Sequence, residues 1–195
     1  MAITINGSSN TITGIAVGGL PDGIVDTDML AAGAVTAPKR GAGAILQVVQ
    51  TFKNDSFSTT STSYVDITGF SVTITPSSTS NKILLLNFAG ISTSGGSSVQ
   101  WMNLLRGSTA IAQPSVSTGF SSTATNYPQS IGNMVPWSYS FLDSPNTTSA
   151  TTYAVGLRNP SSITRVVYLN RGVTDTDSTY YPRGTTTITL MEISG

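Results

Sequence analysis

Two kinds of residue in this chain could do chemistry. The first are carboxylates: Asp143 in "FLDSP", and the pair Asp175/Asp177 in "VTDTDST". Glycan cleavage needs two carboxyl groups flanking the scissile bond, and closely spaced aspartates with backbone carbonyls offer the hard oxygen ligands of calcium. All three aspartates sit among turn residues, where an Asx turn is the simpler use of the side chain. They are read as turn formers, with no catalytic residue and no metal ligand assigned. The second kind is aromatic. The loop "GFSSTATNYPQSIGNMVPW" and the turn "STYYPRG" concentrate Phe120, Asn126, Tyr127, Trp137, Tyr180, Tyr181 and Arg183. Rings stack on apolar sugar faces while amide and guanidinium groups pair with hydroxyls. These seven are the candidate receptor contacts. The same rings would also serve to plug loops against a core or to line a seam between chains.

Other chemistry is excluded at the level of composition. The chain has no histidine and no cysteine, which removes imidazole triads, thiolate nucleophiles, disulfides and Cys/His zinc sites. No G-x-S-x-G, P-loop or G-x-G-x-x-G occurs. A non-enzymatic protein without cofactor is expected. Charged residues make up 9% of the chain, with a net charge of zero, against roughly 25% in an ordinary soluble domain. Nucleic-acid binding needs a surplus of Lys and Arg and is not expected. Membrane insertion is not expected either, because no apolar run reaches the ~18 residues of a spanning helix. The start "MAITINGSSN" lacks the basic and apolar regions of a signal peptide.

The elements that must hold these loops read as strands. Glu192 is the sole glutamate and there are three lysines, so surface helices lack their usual residues, whereas Ser, Thr, Val, Ile and aromatics suit pleated strands and polar turns. Residues 1–44 form a distinct segment. Short β pieces broken by Asn6-Gly7, Gly18-Gly19 and Pro21-Asp22-Gly23 precede one or two helical turns capped by Asp26 or Thr27 and stopped by Gly33. Pro38 and the "GAGA" of 41–44 read as a hinge. From residue 45 to 195, "AILQVVQTF", Tyr64 to Ile67, "FSVTIT", "KILLLNFAGI", "VQWMNLLR", "MVPWSYSFLD", "TTYAVGLR", "ITRVVYLN" and "TTTITLMEI" give eight to ten strands with turns between them. That number fits a two-sheet sandwich, a jelly roll. "KILLLNFAGI" is apolar on both faces, which predicts a central strand covered on both sides. The last strand likewise carries Ile188 and Leu190 on one face, Met191 and Ile193 on the other. Such a second apolar face is buried either between two layers of the chain or on a symmetry axis between copies, and Leu84, Leu86, Phe88, Met191 and Ile193 are the candidate interface residues, trimer-interface residues if the trimer implied by the resemblance below holds.

Three stretches resemble tail-fibre-like and virion structural proteins of tailed bacteriophages, notably cyanophages. They are "DGIVDTDMLAAGAVTAPK", "ILQVVQTFKNDSFSTTSTSYVDITGFSVTITPSSTSNKILL", and "SFLDSPNTTSATTYAVGLRNP" continuing through "VYLN" to "TTITLMEI". Head domains of such proteins look like the trimeric jelly rolls of the tumour-necrosis-factor and C1q type. The resemblance implies a homotrimer, made in the host cytoplasm and carried on the virion, joined to other virion proteins through residues 1–44. A short tail fibre that touches a host surface glycan or protein is the leading expectation. A capsid decoration protein or head fibre is the alternative, and a glycan depolymerase ranks third.

Overall fold

The computed structural model describes residues 4–8, 11–13, 34–35, 39–95, 99–115, 123–126, 134–159, 165–176 and 181–195. The chain divides into two units, Met1–Gly41 and Ala42–Gly195. In the first, β1 (Thr4–Asn6) and β2 (Thr11–Thr13) pair antiparallel, with Ile5 opposite Ile12. The helical turns expected near Asp26 to Gly33 lie outside the described residues.

The second unit contains eleven of the described strands: β3 (Ile45–Lys53), β4 (Phe57–Thr59), β5 (Val65–Ile74), β6 (Lys82–Thr93), β7 (Gln100–Arg106), β8 (Thr109–Ile111), β9 (Ala124–Asn126), β10 (Val135–Asp143), β11 (Thr151–Arg158), β12 (Val167–Leu169) and β13 (Thr186–Ile193). Their pairing is nested. β3 pairs β13, β4 pairs β12, β5 pairs β11, β6 pairs β10, and β7 pairs β8 and β9. A chain paired in this way is one long antiparallel hairpin. Further ladders of β13 and β12 on β6, and of β11 on β7, roll that hairpin into two sheets. It is a jelly roll. The first sheet runs β3-β13-β6-β10, with β12 and β4 extending beyond β13 along β6; the second runs β5-β11-β7-β8, with β9 also on β7.

Period-two alternation explains the layers, since successive side chains point to opposite faces of a strand. Ile83, Leu85, Ala89 and Ile91 of β6 and Ile188 and Leu190 of β13 meet Phe70, Val72 and Ile74 of β5, Met102 and Leu104 of β7, and Tyr153, Val155 and Leu157 of β11 in one core. Each such side chain contributes about 1.5–3 kcal/mol by leaving water. The two short pieces expected around Ile67 and "FSVTIT" form a single strand. Opposite β11 the register slips between Ala154 and Gly156, and Gly69 takes up the slip at φ +72°, a backbone region that costs glycine little.

Two expectations are corrected here. The "GAGA" run is not wholly a hinge: Gly43 N–H donates to Ser194 O and Ser194 N–H to Ala44 O, at 2.8 and 2.9 Å, so Gly43 and Ala44 are already tied to the chain just beyond β13. Strand β6 is central, but along Leu84 to Phe88 the described residues cover one of its faces only. The other face is exposed at Leu86 and Phe88 and becomes buried toward the end of the strand, at Gly90 and Ser92.

Candidate functional site

That uncovered face is the most unusual surface among the described residues. Every described large hydrophobic residue exposed on the jelly roll belongs to it: Ile45, Val48, Phe52, Leu86, Phe88 and Leu142, each between 39% and 57% exposed. The registers line them up across four strands. One row reads Val48–Met191–Leu84–Leu142, the next Gln50–Thr189–Leu86–Ser140, and the third Phe52–Thr187–Phe88–Ser138. At the end of the sheet Ile193 lies between Ile45 and Lys82. Opposite residues in an antiparallel sheet lie ~4.5–5.5 Å apart at Cβ, so each row is a continuous strip. All five residues singled out in the sequence, Leu84, Leu86, Phe88, Met191 and Ile193, stand on this face. Ile45, Val48, Phe52 and Leu142 were missed there. The signal for Val48 and Phe52 was present, since Val48, Gln50 and Phe52 alternate in "LQVVQTF".

Polar residues at the margins fix this sheet in place. Glu192 is 1% exposed. Its Oε1 accepts from Ser77 N at 2.6 Å, Ser77 Oγ at 2.8 Å and Asn81 Nδ2 at 2.6 Å, and its Oε2 from Gln47 Nε2 at 2.6 Å. Burial alone would raise its pKa; the donors of Asn81, Gln47 and Ser77 outweigh burial and hold it below the ordinary carboxylate range. Asn81 Oδ1 in turn accepts from Gly195 N. Further along, Asn170 sits at φ +62° and donates to the carbonyls of Lys53 and Asp55, while Thr186 Oγ1 donates to Asn170 Oδ1. These bonds tie both ends of β13 to the start and end of β3.

The sequence's chemical candidates are distributed differently. Asp143 is not a turn carboxylate: it ends β10, is buried, accepts from Arg106 Nη1 at 2.9 Å and from Tyr153 Oη at 2.6 Å. Burial, then the hydrogen bond to Asp143, pushes the Tyr153 phenol well above its ordinary pKa. Trp137 is not a receptor contact; it is 4% exposed on the inner face of β10, within the core. The alternation of "VPWSYSF" places it there with Tyr139 and Phe141. Asp175 takes up Arg183, Nε at 2.9 Å, and Arg171, Nη1 at 3.6 Å, and Arg171 stacks on the Tyr168 ring. Arg183 is exposed and Tyr181 half-buried beside this cluster. Asn126 ends β9, opposite Gln100. Phe120, Tyr127, Asp177 and Tyr180 lie outside the described residues. Among the described residues no three acidic side chains gather as a metal site.

No protein-family model and no curated protein sequence matches this chain. Among solved structures it is similar to two of infectious bursal disease virus. The Gt strain gives 13% identity and a TM-score of 0.43 over 76% of this chain and 39% of that one. The Gx strain gives 11% and 0.39, over 76% and 36%. The chain thus spans less than half the length of those viral chains.

Proposed function

We propose that this protein is a structural subunit of a virion, a homotrimer whose jelly-roll heads pack through the outer face of the β3-β13-β6-β10 sheet, and that it serves as a short tail fibre. The observation that supports assembly is the wholly apolar row Val48–Met191–Leu84–Leu142 with Ile45, Phe52, Leu86 and Phe88 exposed on the same face. Monomers seldom leave such a contiguous patch in water, and closed symmetric association of copies covers one patch per chain; three as the number of copies comes from the phage-like resemblance. Support for a virion comes from the phage-like stretches of the sequence. In this reading the face toward the axis is apolar, the outer turns are Ser- and Thr-rich, and stability rests on packing that salt does not screen as it screens surface ion pairs. Residues 1–44 attach the head to other virion proteins. The Tyr181–Arg183 turn, with Tyr180, touches the host.

The test is an antibody against the head domain, applied to purified particles and viewed by electron microscopy. Label at the tail tip supports the fibre. Label over the shell replaces it with a capsid decoration protein or head fibre. Particles that carry no label and no copy of the chain by mass spectrometry end the virion reading.

A further inference from the structure

On the outer face of the second sheet, Arg158 closes β11 opposite Trp101 of β7. Its guanidinium carbon lies 4.1 Å from the Trp101 ring centroid and 4.9 Å from that of Tyr64, the residue before β5. The cation therefore stacks on both rings. Arg106, Arg171, Arg183 and Lys53 each have a carboxylate partner. Arg158 has none among the described residues, and its Nε is buried without an acceptor.

We infer that the Tyr64–Arg158–Trp101 stack is a binding site for a carboxylate carried on a sugar, such as a uronic acid. Three features carry this. With the faces stacked on rings and Nε buried, the Nη edge is the polar surface left for a ligand, and that planar edge matches a carboxylate with two parallel hydrogen bonds. Two rings hold the side chain in one geometry, so a ligand meets a preorganised donor and little ordering remains to be done. A single positive charge suits a monoanion better than a dianionic phosphate. Saccharide enters through the flanks: the ring edges of Tyr64 and Trp101 offer apolar surface.

The site can be read on the isolated protein, so its failure leaves the virion reading untouched. Trp137 lies in the core, and Trp137→Phe leaves Trp101 as the single fluorescent indole. Sodium glucuronate is expected to change Trp101 emission saturably at millimolar concentration, whereas glucose, and sodium chloride at matched ionic strength, do not. Arg158→Gln should abolish the response and Arg158→Lys, which keeps charge but loses the planar fork, should weaken it by about tenfold. Calorimetric titration of the unaltered protein reads the same binding if Trp137→Phe is poorly folded. No saturable response to glucuronate by either method overturns the proposal, as does an unchanged response in folded Arg158→Gln. Acetate or sulfate binding as tightly as glucuronate overturns the assignment of a sugar.

Discussion

Phe88→Thr is the sharpest test of the apolar face. Phe88 lies at the middle of its row, between Thr187 and Ser138, and is 49% exposed in the single chain. A phenylalanine can bury on the order of 200 Å². Covering the exposed half removes roughly 100 Å² from water, about 2.5 kcal/mol at 25 cal/mol/Å². Threonine retains a fraction of that area and the β propensity of the strand, so a loss of about 2 kcal/mol per chain is a fair difference between variants. Three chains make this ~6 kcal/mol per trimer, or about four decades in the association constant. The midpoint concentration of a monomer–trimer equilibrium varies as the square root of its dissociation constant, which turns four decades into a shift of about a hundredfold. Sedimentation equilibrium or mass photometry over a dilution series measures that shift. Ser71→Thr, on the exposed face of the second sheet, is the control and should leave it unchanged. The reasoning fails if the unsubstituted protein is monomeric at micromolar concentration, or if Phe88→Thr dissociates at the same dilution as the parent.

Other expectations follow from the buried polar groups. Glu192→Gln leaves one oxygen where four donors converge and turns an amide N–H₂ toward some of them; thermal or urea unfolding should report a loss of about 2–4 kcal/mol at neutral pH. Because the folded-state pKa of Glu192 is depressed, the parent should lose stability as pH falls below about 4.3 toward that lower value, and the variant should lack this part of the acid dependence; a parent stability flat to pH 2 would contradict it. Tyr153→Phe should cost about 1–2 kcal/mol. The raised phenol pKa means the fold keeps a proton that the unfolded chain releases above about pH 10, so stability contributed there is full below that pH and declines above it in the parent but not in the variant. Asn87 has both amide atoms buried without a partner, beside Ile188 and Tyr139. Asn87→Leu should therefore raise the melting temperature, by about 1–2 kcal/mol of stability, and a lower melting temperature would show that its amide is satisfied in solution.

The alternation of "FSVTIT", "KILLLNFAGI" and "TTTITLMEI" carried the sheet count and the core, because period two is visible wherever one face is buried. It also carried the five residues of the outer face, though it overstated how much of β6 the described chain covers: a strand face that is covered and one that is left bare look the same in sequence. Trp137 was misplaced because it was grouped with the aromatic loop before it, although Gly132-Asn133 already ends that loop in the sequence and Trp137 belongs to the alternation of the strand. Asp143 was misread for a similar reason. "DSP" looks like a turn, yet the partners that bury the carboxylate, Arg106 and Tyr153, stand 37 and 10 residues away, and nothing local announces such a meeting. The Arg158 stack depends on three strands coming into register, which no single window contains.

The nesting of the strands bears on how the protein is made. β13 is inserted between β3 and β6, and the bond from Gln47 to Glu192 closes over 145 residues. Ladders of that sequence separation form late and slowly. Until β13 has entered, β3 has no strand to ladder with, although it touches β5 through Thr51 Oγ1 on Ser71 O, and the strips that contain Met191, Thr189 and Thr187 are incomplete. A chain that lacks β13 consequently offers only the β6–β10 part of that face. In the proposed assembly the order of the strands would thus act as a check, disfavouring chains without β13 from entering and capping a ring.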